Sequence, residues 1–136
     1  MKTTDKGDIG VAKVTIDLIQ KGWRVAHPVS ATSPFDLVIC NIIGIFRRVQ
    51  VKYVSAKNGC LYVDSRITIN NKKSRSRSNT EIDVLAVYCP ETDGCYYINI
   101  EKQDEEHIDT YALRIAPSKN KQKKNIRNAE DYRSLF

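Results

Sequence analysis

The chain has 136 residues, 41% of them hydrophobic, and a formal net charge of +6. That length fits one domain, and that apolar content supports a core without metals or disulfides. No apolar run reaches the ~18 residues of a membrane span, and residues 1–8 carry no apolar stretch after their charges, which argues against a secretory signal and for an intracellular setting.

Residues 5–21 read as a helix. Ile9, Ala12, Ile16 and Ile19 repeat at helical spacing, and Val11, Val14 and Leu18 widen the stripe. So broad an apolar surface predicts a helix buried on more than one side. Thr4 or Asp5 is the expected cap, and Gly22 the expected stop. A short strand over 23–29 ends near Pro28, and 30–34 is a loop. The run Leu37-Val38-Ile39-Cys40 makes 36–41 a strand. Gly44 marks a turn, so 45–55 should pair with that strand as an antiparallel hairpin. Asn58-Gly59 marks the next turn, with a further strand over 60–70.

Residues 71–80 contain no apolar side chain and are expected to form a mobile loop. Strands over 82–88 and 95–100 should make a hairpin around Pro90-Glu91-Thr92-Asp93-Gly94. A helical turn or more is expected over 101–107, and a last strand over 110–115. Beyond Pro117 the chain is basic and polar, with a short terminal helix expected over 127–135. One helix followed by strands with turn-length connections gives an α/β or α+β fold with a mixed sheet. The folded domain is placed at 1–118 and a basic tail at 119–136.

The four cysteines, Cys40, Cys60, Cys89 and Cys95, form no CxxC pair, and there are two histidines. Free thiols are expected, and a zinc site is not. Cys89 and Cys95 flank a turn and are expected to face each other across it. The charge is unevenly spread. Lys72, Lys73, Arg75 and Arg77 lie together, and Lys119, Lys121, Lys123, Lys124 and Arg127 form a second basic run. Glu101, Asp104, Glu105, Glu106 and Asp109 oppose them. One face suited to phosphates is implied.

The most informative residues are Asp36, Gln50 and Lys52. Gln50 lies fourteen positions after Asp36, and Lys52 two further on. A strand points alternate side chains to one face, so the three can meet at one point of a sheet. An acid, a second oxygen donor and an ammonium suit a hard divalent cation beside a phosphate. Ser33-Pro34-Phe35-Asp36-Leu37 followed by Arg48-Val49-Gln50-Val51-Lys52 resembles the PD-(D/E)XK nuclease superfamily. Phe35-Asp36 stands for the Pro-Asp pair, with Pro34 one place early, and glutamine replaces the second acid. Lys6-Gly7-Asp8-Ile9-Gly10 and Tyr88-Cys89-Pro90-Glu91-Thr92-Asp93 add to the match. It is nearest to the small group I intron-associated, homing-type endonucleases and extends over roughly residues 5–116. Archaeal Holliday-junction resolvases are a more distant likeness.

The resemblance implies a restriction-endonuclease-like core, with the first helix packed on a mixed sheet. It implies a metal-dependent endonuclease of double-stranded DNA, using Mg2+ with Mn2+ as a substitute, and working as a dimer or tetramer. Asp36 is then a metal ligand, joined by the Gln50 amide oxygen and the Val51 carbonyl. Lys52 orients the attacking water or stabilises charge at the phosphorus. Arg48 shares their face. With Lys72, Lys73, Arg75, Arg77, Lys121, Lys123 and Lys124 it is expected to contact DNA. The family often adds a glutamate from the first helix. Val11 stands there and cannot ligate. Asp8, one turn earlier, either supplies the missing carboxylate near Asp36 or merely favours the helix N-terminus. His27, Ser30, Ser33, Glu91, Asp93 and the tyrosines at 88, 96 and 97 read as structural. Two other readings stay open: a decayed nuclease fold that only binds DNA, and a small basic RNA-binding protein.

Overall fold

A computed structural model of the chain describes residues 1–64, 67–69, 73–75, 81–100, 110–116 and 127–135, with 67–69 and 73–75 described by backbone alone. Helix α1 spans Thr3–Gln20. It starts earlier than its sequence signals suggest, with Lys2 at the N-cap and no side-chain cap. Gly22 ends it with φ of +93°. The Gly22 N–H donates to Ile19 and the Trp23 N–H to Leu18, a Schellman closure that glycine permits.

Five strands form the central sheet in the order β1 (Arg24–Ala26), β2 (Leu37–Cys40), β3 (Phe46–Tyr53), β7 (Val84–Cys89), β8 (Gly94–Asn99). The β3–β7 pair is parallel and the others are antiparallel, so the sheet is mixed, as expected. A second sheet pairs β4 (Cys60–Asp64) with β9 (Thr110–Arg114), and β9 with β10 (Arg127–Asn128). Strands β5 (Ile67–Ile69) and β6 (Lys73–Arg75) pair with each other. Part of the stretch expected as a loop over 71–80 is therefore strand. The expected strand over 60–70 is two strands. The expected terminal helix is the short β10 followed by a 3-10 turn, Ala129–Tyr132. The segment 101–107 lies outside the described residues.

Each face of the central sheet has its own core. Val14 and Leu18 of α1 pack on Leu37, Ile39, Val49, Val84, Ala86 and Tyr97. On the other face Leu61, Val63, Tyr111 and Leu113 of the second sheet pack on Leu85, Val87, Tyr96 and Ile98. Strand alternation divides the side chains between the two. It also separates Cys89 from Cys95. Cys89 pairs with Gly94 and Cys95 with Tyr88, so the thiols lie on opposite faces and do not meet.

The buried stripe of α1 is Gly10, Val14 and Leu18. Ile16 and Ile19 are more than half exposed, so the expected 9/12/16/19 stripe is not the core face, and the helix buries one side only. Gly10 is the point of α1 that faces Val51 and Tyr53 of β3. A Cβ there would stand 3.5 Å from Val51 and 3.6 Å from Tyr53. Among the described residues no helix is long and apolar enough to cross a membrane.

Candidate active site

The chain enters β2 at Asp36, whose N–H donates to the Val49 carbonyl at 2.8 Å. Leu37 is opposite Val49, which sets Asp36 beside Gln50. Val49, Val51 and Tyr53 face α1. Arg48, Gln50 and Lys52 therefore point to the opposite face. Leu37 and Ile39 also face α1, so Asp36 shares the face of Gln50. Asp36 Oδ2 accepts from Gln50 Nε2 at 3.1 Å and from the Val51 N–H at 2.8 Å.

This geometry has a local cause. The N–H and C=O of one strand residue point toward the same neighbour. Even-numbered residues of β3 address β7, as the Arg48 carbonyl shows by accepting from the Asp83 N–H at 2.9 Å. Val51 addresses β2, which begins only at Leu37. The Asp36 side chain takes the Val51 N–H that no further β2 residue reaches. The Val51 carbonyl is directed to the same edge.

A carboxylate, an amide and a backbone carbonyl thus converge where β2 and β3 separate. All three are oxygen donors, which fits a hard divalent cation. The set carries one negative charge. Among the described residues no group of three or more His, Cys, Asp and Glu side chains forms a metal cluster. The Gln50 amide now presents its nitrogen to Asp36, so ligation through its oxygen requires the amide to turn. Lys52 is half-buried, two residues along the same face and level with Val87 of β7.

Val11 is half-buried against the helix-side core. Asp8 is exposed and forms no hydrogen bond or ion pair among the described residues. It is the sixth residue of α1, and Asp5 is the acid of the first turn, so Asp8 is not a helix-end charge. Lys13 reaches Asp93 at 3.0 Å, at the β7–β8 turn. Val11 lies about 200° round the helix from Lys13, which turns the Asp8–Val11 edge away from that turn.

Arg48 is held by Asp83, a residue that sequence reasoning missed. Asp83 precedes β7 as Asp36 precedes β2. Its Oδ2 accepts from the Arg48 N–H at 2.7 Å and from Nε at 3.0 Å, and its Oδ1 accepts from Nη2 at 2.9 Å. Burial pushes the Asp83 carboxyl up, but the hydrogen bonds and charge of Arg48 outweigh it and hold the group below its ordinary range. The Arg48 guanidinium is raised by the same bond. The signal was available: each aspartate stands immediately before an apolar run of four, Leu37 to Cys40 and Val84 to Val87.

Apart from His27, the residues expected to be structural have structural partners, Tyr96 through Thr92 at 3.0 Å among them. Ser30 Oγ and Ser33 Oγ accept from the N–H groups of Thr32 and Phe35. Tyr88 donates to Asp93 at 2.7 Å and Tyr97 to Asp17 at 2.5 Å. The Glu91 carboxylate accepts from the Ala56 N–H. His27 is exposed beyond β1. Lys72, Arg77, Lys121, Lys123 and Lys124, and the side chains of Lys73 and Arg75, lie outside the described residues, as does the acidic group at 101–109.

A family model described as PD-(D/E)XK endonuclease matches residues 1–135. The chain belongs to that family, whose members are nucleases that generally use divalent metal ions. Among solved structures it is similar to a bacterial homing endonuclease, I-Ssp6803I, at 24% identity and a TM-score of 0.77, over 98% of this chain and 89% of the other. That likeness establishes the fold. A comparison with curated proteins gives no significant match.

Proposed function

We propose that the chain is a divalent-metal-dependent endonuclease of double-stranded DNA, with Mg2+ as its ordinary cation and Mn2+ able to replace it. The observation that carries this reading is the convergence of Asp36, Gln50 and the Val51 peptide at the β2–β3 fork. Asp36, the Gln50 amide oxygen and the Val51 carbonyl would hold the cation. When bound, such an ion polarises a phosphate oxygen and lowers the pKa of water at the site. Lys52 contributes a positive charge on the same face. It orients the attacking water and offsets the negative charge that develops at the phosphorus. Asp8 is assigned as the acid contributed by α1, in place of the missing one at Val11.

The net charge of +6 suits a polyanionic substrate. Arg48 and the basic residues at 72, 73, 75, 77, 121, 123 and 124 are assigned to backbone phosphates. The homing type is favoured by the solved relative. A dimer or tetramer is proposed because cutting both strands at one place needs two centres. The test is incubation of plasmid and branched DNA with the chain, in Mg2+, in Mn2+ and in chelator. Cutting with either ion and none in chelator is expected. No cutting under any condition, with DNA still bound, would favour a second reading. In that reading the fold is a decayed nuclease that binds DNA only, and the observations behind it are the valine at position 11 and the neutral Gln50 amide turned toward Asp36.

A further inference from the structure

Among the described residues, the second sheet packs on β7 and β8 of the central sheet. Among the described residues, the same face of β1, β2 and β3 carries no core layer. The register lays out what stands there. Arg24, Cys40 and Phe46 form one row across the three strands, and Ala26, Val38 and Arg48 form the next. Asp36 and Gln50 follow in the third row. Phe46 is 64% exposed, and Arg24 is exposed beside it. Ile42 and Ile43, at 89% and 75% exposed, extend the apolar surface round the β2–β3 turn. An apolar centre this open marks a contact surface.

We infer that this open half-sheet is a docking surface for the duplex that flanks the cut, with Arg24 on a backbone phosphate and Phe46 against the sugar and base edges. The inference rests on the nuclease reading and extends it to a second zone of contact. Three observations select DNA as the occupant. The surface is continuous with the candidate active site, because Phe46, Arg48, Gln50 and Lys52 share one face of one strand. Arg24, exposed on this face, is a cation that matches a phosphate, whereas the Arg48 charge is engaged by Asp83. Its dimensions also fit. Rows two residues apart are separated by about 6.8 Å, so Arg24 and Phe46 stand roughly 14 Å from Asp36 and Gln50. That equals the rise of about four base pairs along a duplex axis. An aromatic or aliphatic side chain at such a point can press between base steps in a groove.

The test is the binding of a short fluorescent duplex of mixed sequence, in chelator, at a series of salt concentrations. The variants are Arg24→Gln, Arg24→Glu and Phe46→Ala. Exposed positions keep the fold intact, which thermal melting checks. Arg24→Gln is expected to weaken binding and reduce the salt slope by about one unit, with Arg24→Glu weaker still. Phe46→Ala is expected to weaken binding roughly fivefold or more at every salt concentration, through lost apolar burial, with the slope unchanged. Parental affinity and slope in all three variants would overturn the inference and leave the nuclease reading standing. Parental affinity with a lowered sedimentation mass in Phe46→Ala would also overturn it, assigning the surface to contact between copies. If the unaltered chain neither binds nor cuts DNA, both readings fall together.

Discussion

The Asp36 carboxylate and the Val51 peptide N–H meet at 2.8 Å, across the fork where β2 has not begun and β3 continues. One residue thus closes the sheet edge and supplies the carboxylate of the candidate site. Asp36→Ala removes both and should cost about 1–3 kcal/mol through the unpaired Val51 N–H. Asp36→Asn keeps an acceptor and should cost less than half of that. Both should lose cleavage, and calorimetry should show weaker divalent-metal binding in both. Thermal midpoints separate the two effects.

Gln50 gives a sharper test of the cation. Its amide donates to Asp36 at 3.1 Å. Gln50→Glu replaces that bond with two carboxylates in contact, a repulsion that an added cation relieves. The variant should melt below the parent in chelator. It should also gain more in melting temperature than the parent when Mg2+ is added. An equal gain in both would remove Gln50 from the cation site.

Asp83 should matter to stability and to acid tolerance. Its folded pKa is depressed, because the hydrogen bonds and charge of Arg48 outweigh the effect of burial. Its contribution is therefore complete above the ordinary aspartate value of ~3.9 and is lost as pH falls through the lower folded value. Asp83→Ala should cost roughly 2–3 kcal/mol at neutral pH. The gap between parent and variant should shrink below about pH 4. Denaturant midpoints across that range provide the measurement.

Where period-two patterning governs, the sequence is a good guide. Leu37-Val38-Ile39-Cys40 and Val49-Gln50-Val51-Lys52 foretell both strands and the shared face of Asp36, Gln50 and Lys52. The helix is harder, because its apolar residues nearly encircle it. The face that packs carries Gly10, Val14 and Leu18, and glycine adds nothing to an apolar count. Cys89 and Cys95 were misjudged for a register reason. The turn between Cys89 and Gly94 offsets them by one residue and so puts them on opposite faces. Asp83 was passed over because its partner, Arg48, is thirty-five positions away.

Asp8 is the residue that decides whether α1 takes part in the chemistry. It is exposed and forms no ion pair among the described residues, so Asp8→Ala should leave the melting temperature almost unchanged. If it is the acid from α1, cleavage should fall at least tenfold. Val11→Glu should tighten metal binding, at some cost from placing a carboxylate against the helix-side core. An unchanged cleavage rate in Asp8→Ala would confine the site to Asp36, Gln50, Val51 and Lys52.

The central claim is that the face carrying Gln50 and Lys52 hydrolyses DNA. It is tested most directly by the rate of plasmid nicking in Mg2+, for the parent and for Lys52→Ala, at concentrations that saturate binding. The account predicts nicking by the parent that chelator abolishes. It predicts a loss of about a hundredfold or more in Lys52→Ala, with DNA affinity retained. Nicking by Lys52→Ala at the parental rate would contradict it.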